Sequence, residues 1–284
     1  MRVVLTIAGS DSGGGAGIQA DIKTFEAFGV FSTSAITVLT AQNTLGVDDV
    51  FEISPQFLHA QLKAIFNDFK IDAIKIGMLY SNEMIEVVKN AVKNFDIPIV
   101  IDPVCVAKSG AKLLNADAIQ NLKTLFPYAT LITPNLFEAN ALFGYKFGDS
   151  ESLQEIVNAP YKILIKNDIL EMNHQLFSID TLYHGRDKVV FKSPLITTQN
   201  RHGTGCSFSS TICANLALGK PLMQSIEIAK KFISLGIENG QNIGHGAKPI
   251  AHKKAGEILE NYFSKPFYKE QLNPKGNFKK SIVY

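Results

Sequence analysis

Leu5-Thr6-Ile7-Ala8-Gly9-Ser10-Asp11-Ser12-Gly13-Gly14-Gly15-Ala16-Gly17-Ile18-Gln19-Ala20-Asp21 joins an apolar run to a segment of helical period through a loop crowded with glycine. Residues 3–8 suit a strand buried on both faces. Ile18, Ile22, Phe25 and Phe28 recur at three and four residues and stop at Gly29, as one face of a helix closed by a glycine would. A strand, a loop and a helix in this order form the opening unit of an α/β protein. Four glycines within five positions exceed what a tight turn needs, and such a loop lets backbone N–H groups approach a ligand at a helix N-terminus. No Gly-Lys-Ser/Thr follows, so this is not a P-loop. Gly15-x-Gly17-x-x-Ala20 matches a dinucleotide fingerprint only weakly, because no acidic residue closes the second strand to hold a ribose.

Outward from this loop the unit repeats. Residues 34–41 read as the second strand. Ser54-Pro55 opens a helix to about Phe69, with proline at the first helical position. Residues 72–77 form the next strand, and Ser81 caps a helix whose apolar face is Met84, Ile85, Val88, Ala91, Val92 and Phe95. Strand 97–101, helix 115–126, strand 129–133 and helix 135–143 continue the series. This alternation predicts helices around a mainly parallel sheet. From 144 to 199 the pattern loosens into a short helix and strands near 161–166, 175–183 and 189–192, which read as antiparallel edge strands. Helices follow at 206–219 and 222–238. No compositional break divides residues 1–264, which are expected to form one domain. Residues 265–284 carry five lysines against one glutamate and read as a loosely held basic tail.

The 284 residues are 46% hydrophobic and 19% charged, ample for a large core. A formal net charge of +2 gives no reason to expect a nucleic-acid partner. No stretch approaches the ~18 apolar residues of a membrane span, and the first apolar run is too short for a signal peptide. Three cysteines and six scattered histidines show neither a disulfide framework nor metal-ligand spacing, which suits a cytoplasmic setting.

Chemistry is concentrated in two further stretches. Asn200-Arg201-His202-Gly203-Thr204-Gly205-Cys206-Ser207 runs into an apolar helix. Two glycines flanking a threonine expose N–H groups, and the helix dipole adds positive potential where a transferring phosphoryl group gathers charge. The same dipole is expected to lower the Cys206 thiol pKa and favour thiolate, a competent base for a substrate hydroxyl. Cys213, two turns later on the apolar face, reads as a small buried hydrophobe. The second stretch pairs Asp102-Pro103-Val104 with Thr133-Pro134-Asn135-x-x-Glu138, each at the carboxyl end of a strand, where α/β sheets bind ligands. Two carboxylates there can hold Mg²⁺ against a nucleotide phosphate.

Taken with Thr40-Ala41-Gln42-Asn43-Thr44, Lys75-Ile76-Gly77-Met78-Leu79 and Ala107-Lys108-Ser109-Gly110, these motifs closely resemble the hydroxymethylpyrimidine/phosphomethylpyrimidine kinases of thiamine biosynthesis, members of the ribokinase-like superfamily. The similarity spans about residues 3 to 250. It implies a three-layer α/β/α fold with antiparallel edge strands on a mostly parallel sheet. It also implies ATP-dependent phosphorylation of 4-amino-5-hydroxymethyl-2-methylpyrimidine and then of its monophosphate, with Mg²⁺, in a cytoplasmic homodimer. By this resemblance Ala16, Asp21, Gln42, Met78, Val104 and Val106 line the pyrimidine pocket. The Gln42 amide, which both donates and accepts, matches the substrate's amino and ring-nitrogen edge. Gly203, Gly205 and Cys206 form the anion hole and catalytic position, Asp102 and Glu138 serve Mg²⁺, and Lys166, Asn135, Thr204 and His245 serve ATP. The chain departs from the family at Lys166-Asn167-Asp168, where Lys-Gly-Gly-His is usual, and at Cys105, where methionine is common. A pyridoxal or pyridoxine kinase on the same fold is the nearest other reading, and a non-catalytic pyrimidine-binding homologue is a third.

Overall fold

A computed structural model describes residues 1–105 and 116–263. Val106, residues 107–110 and the basic tail at 265–284 lie outside the described residues. β1 (Val3–Asp11) passes through the glycine loop to α1 (Gly17–Ala27) and β2 (Phe31–Gln42), and β3 (Val47–Glu52) turns back along β2. The series α2 (Pro55–Asp68), β4 (Ala73–Ile76), α3 (Asn82–Val92), β5 (Ile99–Ile101), α4 (Ala116–Lys123), β6 (Leu131–Ile132) and α5 (Leu136–Phe143) continues the alternation. α6 (Gln154–Asn158) precedes the meander β7 (Ile163–Met172), β8 (Gln175–His184) and β9 (Asp187–Pro194), after which come α7 (Thr204–Ala217), α8 (Leu222–Glu238) and α9 (His252–Phe263).

The strands form one sheet in the order β3-β2-β1-β4-β5-β6-β7-β8-β9. Pairing is parallel from β2 through β1, β4, β5 and β6 to β7, and antiparallel for β3 on one side and for β8 and β9 on the other. β7 itself is thus not simply an antiparallel edge strand, because Ile163 pairs in parallel register with Ile132 of β6.

The period of two along each central strand sends alternate side chains to two cores. Leu5, Ile7, Ile74, Ile76, Ile99, Ile101, Ile132, Ile163 and Ile165 pack under α2 to α5. Their neighbours Val4, Ala73, Val100, Leu131 and Leu164 pack under α1, α7 and α8. Both faces are therefore covered, and the strands read as apolar runs because neither face meets water. The same alternation turns Thr6 and Lys75 toward the α1–α7 layer, where both are fully buried. α9 then packs Ala255 and Leu259 against Ile228, Phe232 and Leu235 of α8.

Two cap expectations part ways. The Ser54 hydroxyl accepts the Phe57 N–H at 3.2 Å, so α2 starts as the Ser-Pro pair predicts. Ser81 does sit at the N-cap of α3, yet its side chain makes no capping bond, and among the described residues its buried oxygen has no partner.

Candidate active site

The carboxyl ends of β5 and β6 and the first half of β7 bring Asp102, Asn135, Glu138 and Lys166 together. Lys166 Nζ donates to Asp102 Oδ1 at 2.6 Å, and both side chains are buried. The Thr133 hydroxyl lies 3.3 Å from the same oxygen and the Ser209 hydroxyl 3.4 Å from Oδ2. Asn135 and Glu138 form a reciprocal capping box on α5. Asn135 Oδ1 accepts the Glu138 N–H at 3.0 Å, and Glu138 Oε2 accepts the Asn135 N–H at 2.8 Å. Glu138 is only 3% exposed, so it is not the solvent-facing first-turn residue that its position alone would suggest. Burial pushes its carboxyl up to about 8; Lys166 and the Asn135 N–H oppose that rise and Asp102 adds to it. For Lys166, burial works against the charge, but Asp102 and then Glu138 outweigh it and hold the ammonium above its usual range.

α7 delivers its N-terminus onto this cluster. Its first helical bond runs from the Ser207 N–H to the Gly203 carbonyl at 2.9 Å, so the Gly205 and Cys206 N–H groups precede the ladder and face outward from the helix start. A Cβ at Gly205 would stand 3.5 Å from Lys166 Nζ and 3.8 Å from Asp102 Oδ2, which places the turn directly over the ion pair. Asn135, Lys166, Thr204, Gly205, Phe208 and Lys230 line one cleft of about 410 Å³. Its far wall holds a buried pair, Lys230 Nζ to Asp180 Oδ2 at 2.7 Å. Asp168 is buried as well. Burial and then Asp180 push its carboxyl up to about 6 against the Ile169 N–H. A larger hollow of about 810 Å³ between α2 and α3, lined by His59, Lys63 and Phe66 among others, holds none of these groups.

The two glycine-rich stretches meet on the other side of α7. A Cβ on Gly203, whose φ is +78°, would overlap the Gly15 carbonyl oxygen, and one on Gly15 would overlap the His202 ring. Only glycine permits that approach. The first loop differs from expectation in one respect: its N–H groups are turned inward. Gly13, Gly15 and Ala16 donate to the Asp11 carboxylate at 2.8, 3.1 and 2.8 Å, so they are committed to a side chain of this protein and not to a ligand. Met78 lies against this loop, its methyl 2.8 Å from where a Gly9 Cβ would be. The half-buried Gln42 accepts the Thr40 hydroxyl at 3.1 Å, which orients its amide. Val104 follows Asp102, its N–H donating to the Asp102 carbonyl at 2.8 Å.

Asp21 changes role. It is fully buried, and its oxygens accept Thr6 and Ser210 hydroxyls at 2.6 Å each and Lys75 Nζ at 2.9 Å. With both oxygens occupied it is the buried counter-ion of Lys75, not a group that touches a substrate. His245 also departs from expectation. Its N–H donates to the Thr44 hydroxyl at 3.2 Å, which puts it at the β2–β3 turn, away from the cleft of Lys166, Asn135 and Thr204.

Cys206 lies between the two regions, half-buried. Its thiol is pushed up, not down. Burial is the largest cause; Lys75 pulls the other way, Asp21 and Asp102 repel the thiolate, and the Gly17 N–H favours it. The dipole argument fails here because desolvation and two carboxylates outweigh one helix terminus. Cys105 and Cys213 are buried thiols that burial also pushes up, Cys105 to about 12.

Three contributors lay in quoted motifs without an assigned part: Lys75, Asp11 and His202. Lys75 could have been found as the one charge inside the apolar run Ala73-Ile74-Lys75-Ile76. Among the described residues no group of three or more His, Cys, Asp or Glu could hold a metal, and no helix is long and apolar enough to cross a membrane.

Residues 11–251 match the phosphomethylpyrimidine kinase family. The chain is 47% identical over 262 residues to the hydroxymethylpyrimidine/phosphomethylpyrimidine kinase of Haemophilus influenzae, covering 89% of this chain and 97% of that one. It is 43% identical over 262 residues to the thiamine biosynthesis bifunctional protein ThiED of Geobacter sulfurreducens, covering 91% of this chain but only 54% of that longer protein. The crystal structure of an ADP complex of Bacillus subtilis pyridoxal kinase superposes with a TM-score of 0.78 at 35% identity, over 89% of this chain and 98% of that one. The ribokinase-like sheet, the cleft beside the α7 N-terminus and a family match over most of the sequence lead to one conclusion: the chain belongs to the phosphomethylpyrimidine kinase family, whose members are phosphotransferases.

Proposed function

We propose that the protein transfers the γ-phosphoryl group of ATP to the hydroxymethyl oxygen of 4-amino-5-hydroxymethyl-2-methylpyrimidine, and then phosphorylates the monophosphate, as a step of thiamine biosynthesis. The observation that carries this reading is the α7 N-terminus, which stands over the Lys166–Asp102 pair at one wall of a cleft of about 410 Å³ and against the β1 glycine loop through the Gly203–Gly15 contact. In this reading the triphosphate enters past Asn135 and Thr204 to Lys166. The pyrimidine lies between Ala16, Met78 and Val104 with its amino edge on Gln42. Residues 1–264 act as one catalytic unit in a cytoplasmic homodimer.

Asp102 and Glu138 would offer hard oxygen donors, but Lys166 already holds one Asp102 oxygen, the Asn135 N–H holds one Glu138 oxygen, and Glu138 would have to release its proton to bind a cation. The set would therefore suit Mg²⁺ bound mainly by phosphate oxygens and water and not by a protein cage. When bound, Mg²⁺ neutralises phosphate charge. Lys166 holds the transferring phosphate, and the Gly205 and Cys206 N–H groups receive the charge that develops on its oxygens. Because burial leaves the thiol protonated at rest, Cys206 is no standing base; its proton would first have to leave to solvent, with Lys75 below stabilising the thiolate. That thiolate would then accept the hydroxyl proton as the oxygen attacks phosphorus and ADP departs. Positioning and charge neutralisation then supply most of the rate.

The neighbouring pyridoxal kinase makes pyridoxal the competitor to test. Steady-state kcat/KM for the pyrimidine alcohol is expected to exceed that for pyridoxal, and Cys206→Ala is expected to lower kcat by about 10²-fold or more. A higher kcat/KM on pyridoxal would overturn the substrate assignment, and full turnover by Cys206→Ala would remove the thiol from the mechanism.

A further inference from the structure

We infer that Asp11 and His202 form a clasp that sets the anion-binding turn of α7 against the glycine loop of β1, and so act as positioning residues for phosphoryl transfer. The inference rests on the kinase reading above. The two residues are 191 positions apart, and His202 Nε2 lies 2.7 Å from Asp11 Oδ2. That oxygen also accepts the Gly15 and Ala16 N–H groups, while Oδ1 accepts Gly13. One carboxylate thus gathers three amides of the first loop and the imidazole of the second. Burial opposes the charge on Asp11, but these donors, His202 foremost, hold it below the usual carboxylate range, so the hub is anionic.

The rest of the neighbourhood fixes where the clasp acts. The His202 N–H donates to the Lys248 carbonyl at 2.9 Å, and the next residue, Gly203, is the N-cap of α7. Gly15 is pressed between the His202 ring and Gly203 with no room for a side chain. Gly17, the first residue of α1, directs its N–H at the Cys206 sulfur. A shift of His202 therefore moves Gly203 to Cys206 relative to the loop that borders the substrate pocket. Such a displacement alters the distance between the acceptor hydroxyl and the transferring phosphate; it shifts Thr204 and Gly205 on one wall of the nucleotide cleft, while Asn135, Lys166 and Lys230 on the other walls stay in place. A displacement of about 1 Å can cost about 10²-fold in rate.

The decisive comparison is His202→Leu with His202→Gln. Leucine keeps apolar bulk against Gly15 but donates nothing. Glutamine places an amide N–H near the position of Nε2 and restores the bond. Expected in His202→Leu is a fall in kcat of about 10²-fold with the KM for ATP raised by no more than about fivefold, and in His202→Gln a kcat within about fivefold of wild type. Asp11→Asn turns one acceptor oxygen into a donor among donors, and the double variant Asp11→Asn/His202→Leu is expected to be no slower than the slower single variant. Melting curves matched to wild type show that each variant is folded. A kcat for His202→Leu within about twofold of wild type, a His202→Gln as slow as His202→Leu, or fully additive losses would each overturn the clasp. If the wild type turns over no pyrimidine, the kinase reading fails separately. Hydrogen exchange of the segment 12–17 then decides the clasp alone, with exchange about tenfold faster in His202→Leu supporting it and unchanged exchange overturning it.

Discussion

Replacing Lys75 with methionine removes the cation beneath Cys206 while keeping a side chain of similar length. Lys75 Nζ and Asp21 Oδ2 are 2.9 Å apart with both side chains 0% exposed. The variant strands the Asp21 carboxylate with the Thr6 and Ser210 hydroxyls as its remaining donors, each at 2.6 Å. Breaking a buried pair from one side costs about 3–5 kcal/mol. The two hydroxyls place this site near the lower end, about 3 kcal/mol, which corresponds to a fall in Tm of roughly 6–12 °C for a protein of this size. Burial works against the Lys75 charge, but Asp21 outweighs it and raises the folded pKa above the usual lysine value. The stabilisation is therefore complete at neutral pH and is lost only as pH climbs through that raised folded value. Differential scanning calorimetry at pH 7 checks the single variant. The neutral pair Lys75→Met/Asp21→Asn is expected to recover much of the loss, because no charge is left unpaired. Alkylation of Cys206 by iodoacetamide should also slow in Lys75→Met, since the thiolate loses its cation. A Tm change below about 2 °C, or a double variant as unstable as the sum of the singles, would refute the reasoning.

Other perturbations test neighbouring parts. Glu138, raised from 4.5 to about 8 by burial above all, holds a proton in the folded state that the unfolded chain has lost, so stability falls as pH rises across that interval. Urea midpoints at the two ends of the interval should differ less in Glu138→Gln than in wild type, and equal differences would remove the burial argument. His252, lowered from 6.5 to about 4 by burial and then by Lys23, lies 2.8 Å from the Ser207 hydroxyl. Its contribution is present above the upper value and lost as pH falls toward the lower one, so circular-dichroism melts of His252→Gln should show less acid destabilisation there. Gly203→Ala and Gly29→Ala both place alanine at positive φ, +78° and +66°, but only the first meets backbone. Melting curves should show about 1–2 kcal/mol lost at Gly29 and clearly more at Gly203, with equal losses contradicting the close packing of the two loops.

Much of the architecture was legible because its causes are local. Residues 3–8 and 97–101 read as two-sided strands since both faces are covered, and the Ser54-Pro55 start of α2 follows from cap chemistry. β3 was invisible because every residue from Val47 to Glu52 is exposed, leaving no face to impose a period. α9 was legible too, since Ala255, Ile258, Leu259 and Tyr262 recur at helical spacing after the charged first turn, although no helix was assigned there. In the site, the acidic residues at strand ends were readable, since parallel strands place their carboxyl ends on one crevice. The inward turn of the Gly13 to Ala16 amides was not, because Asp11 engages them and His202 through contacts between distant parts of the chain. The thiol of Cys206 was misjudged for the same reason: Asp21, Asp102 and burial act on it from elements remote in sequence.

The most direct test of the account counts ADP released per molecule of 4-amino-5-hydroxymethyl-2-methylpyrimidine supplied, with ATP and Mg²⁺ in excess and the products identified by mass. The account predicts two ADP for each pyrimidine, with the diphosphate as the final product. Release of one ADP would contradict the second phosphorylation, and binding of the pyrimidine without any ADP would contradict the kinase assignment itself.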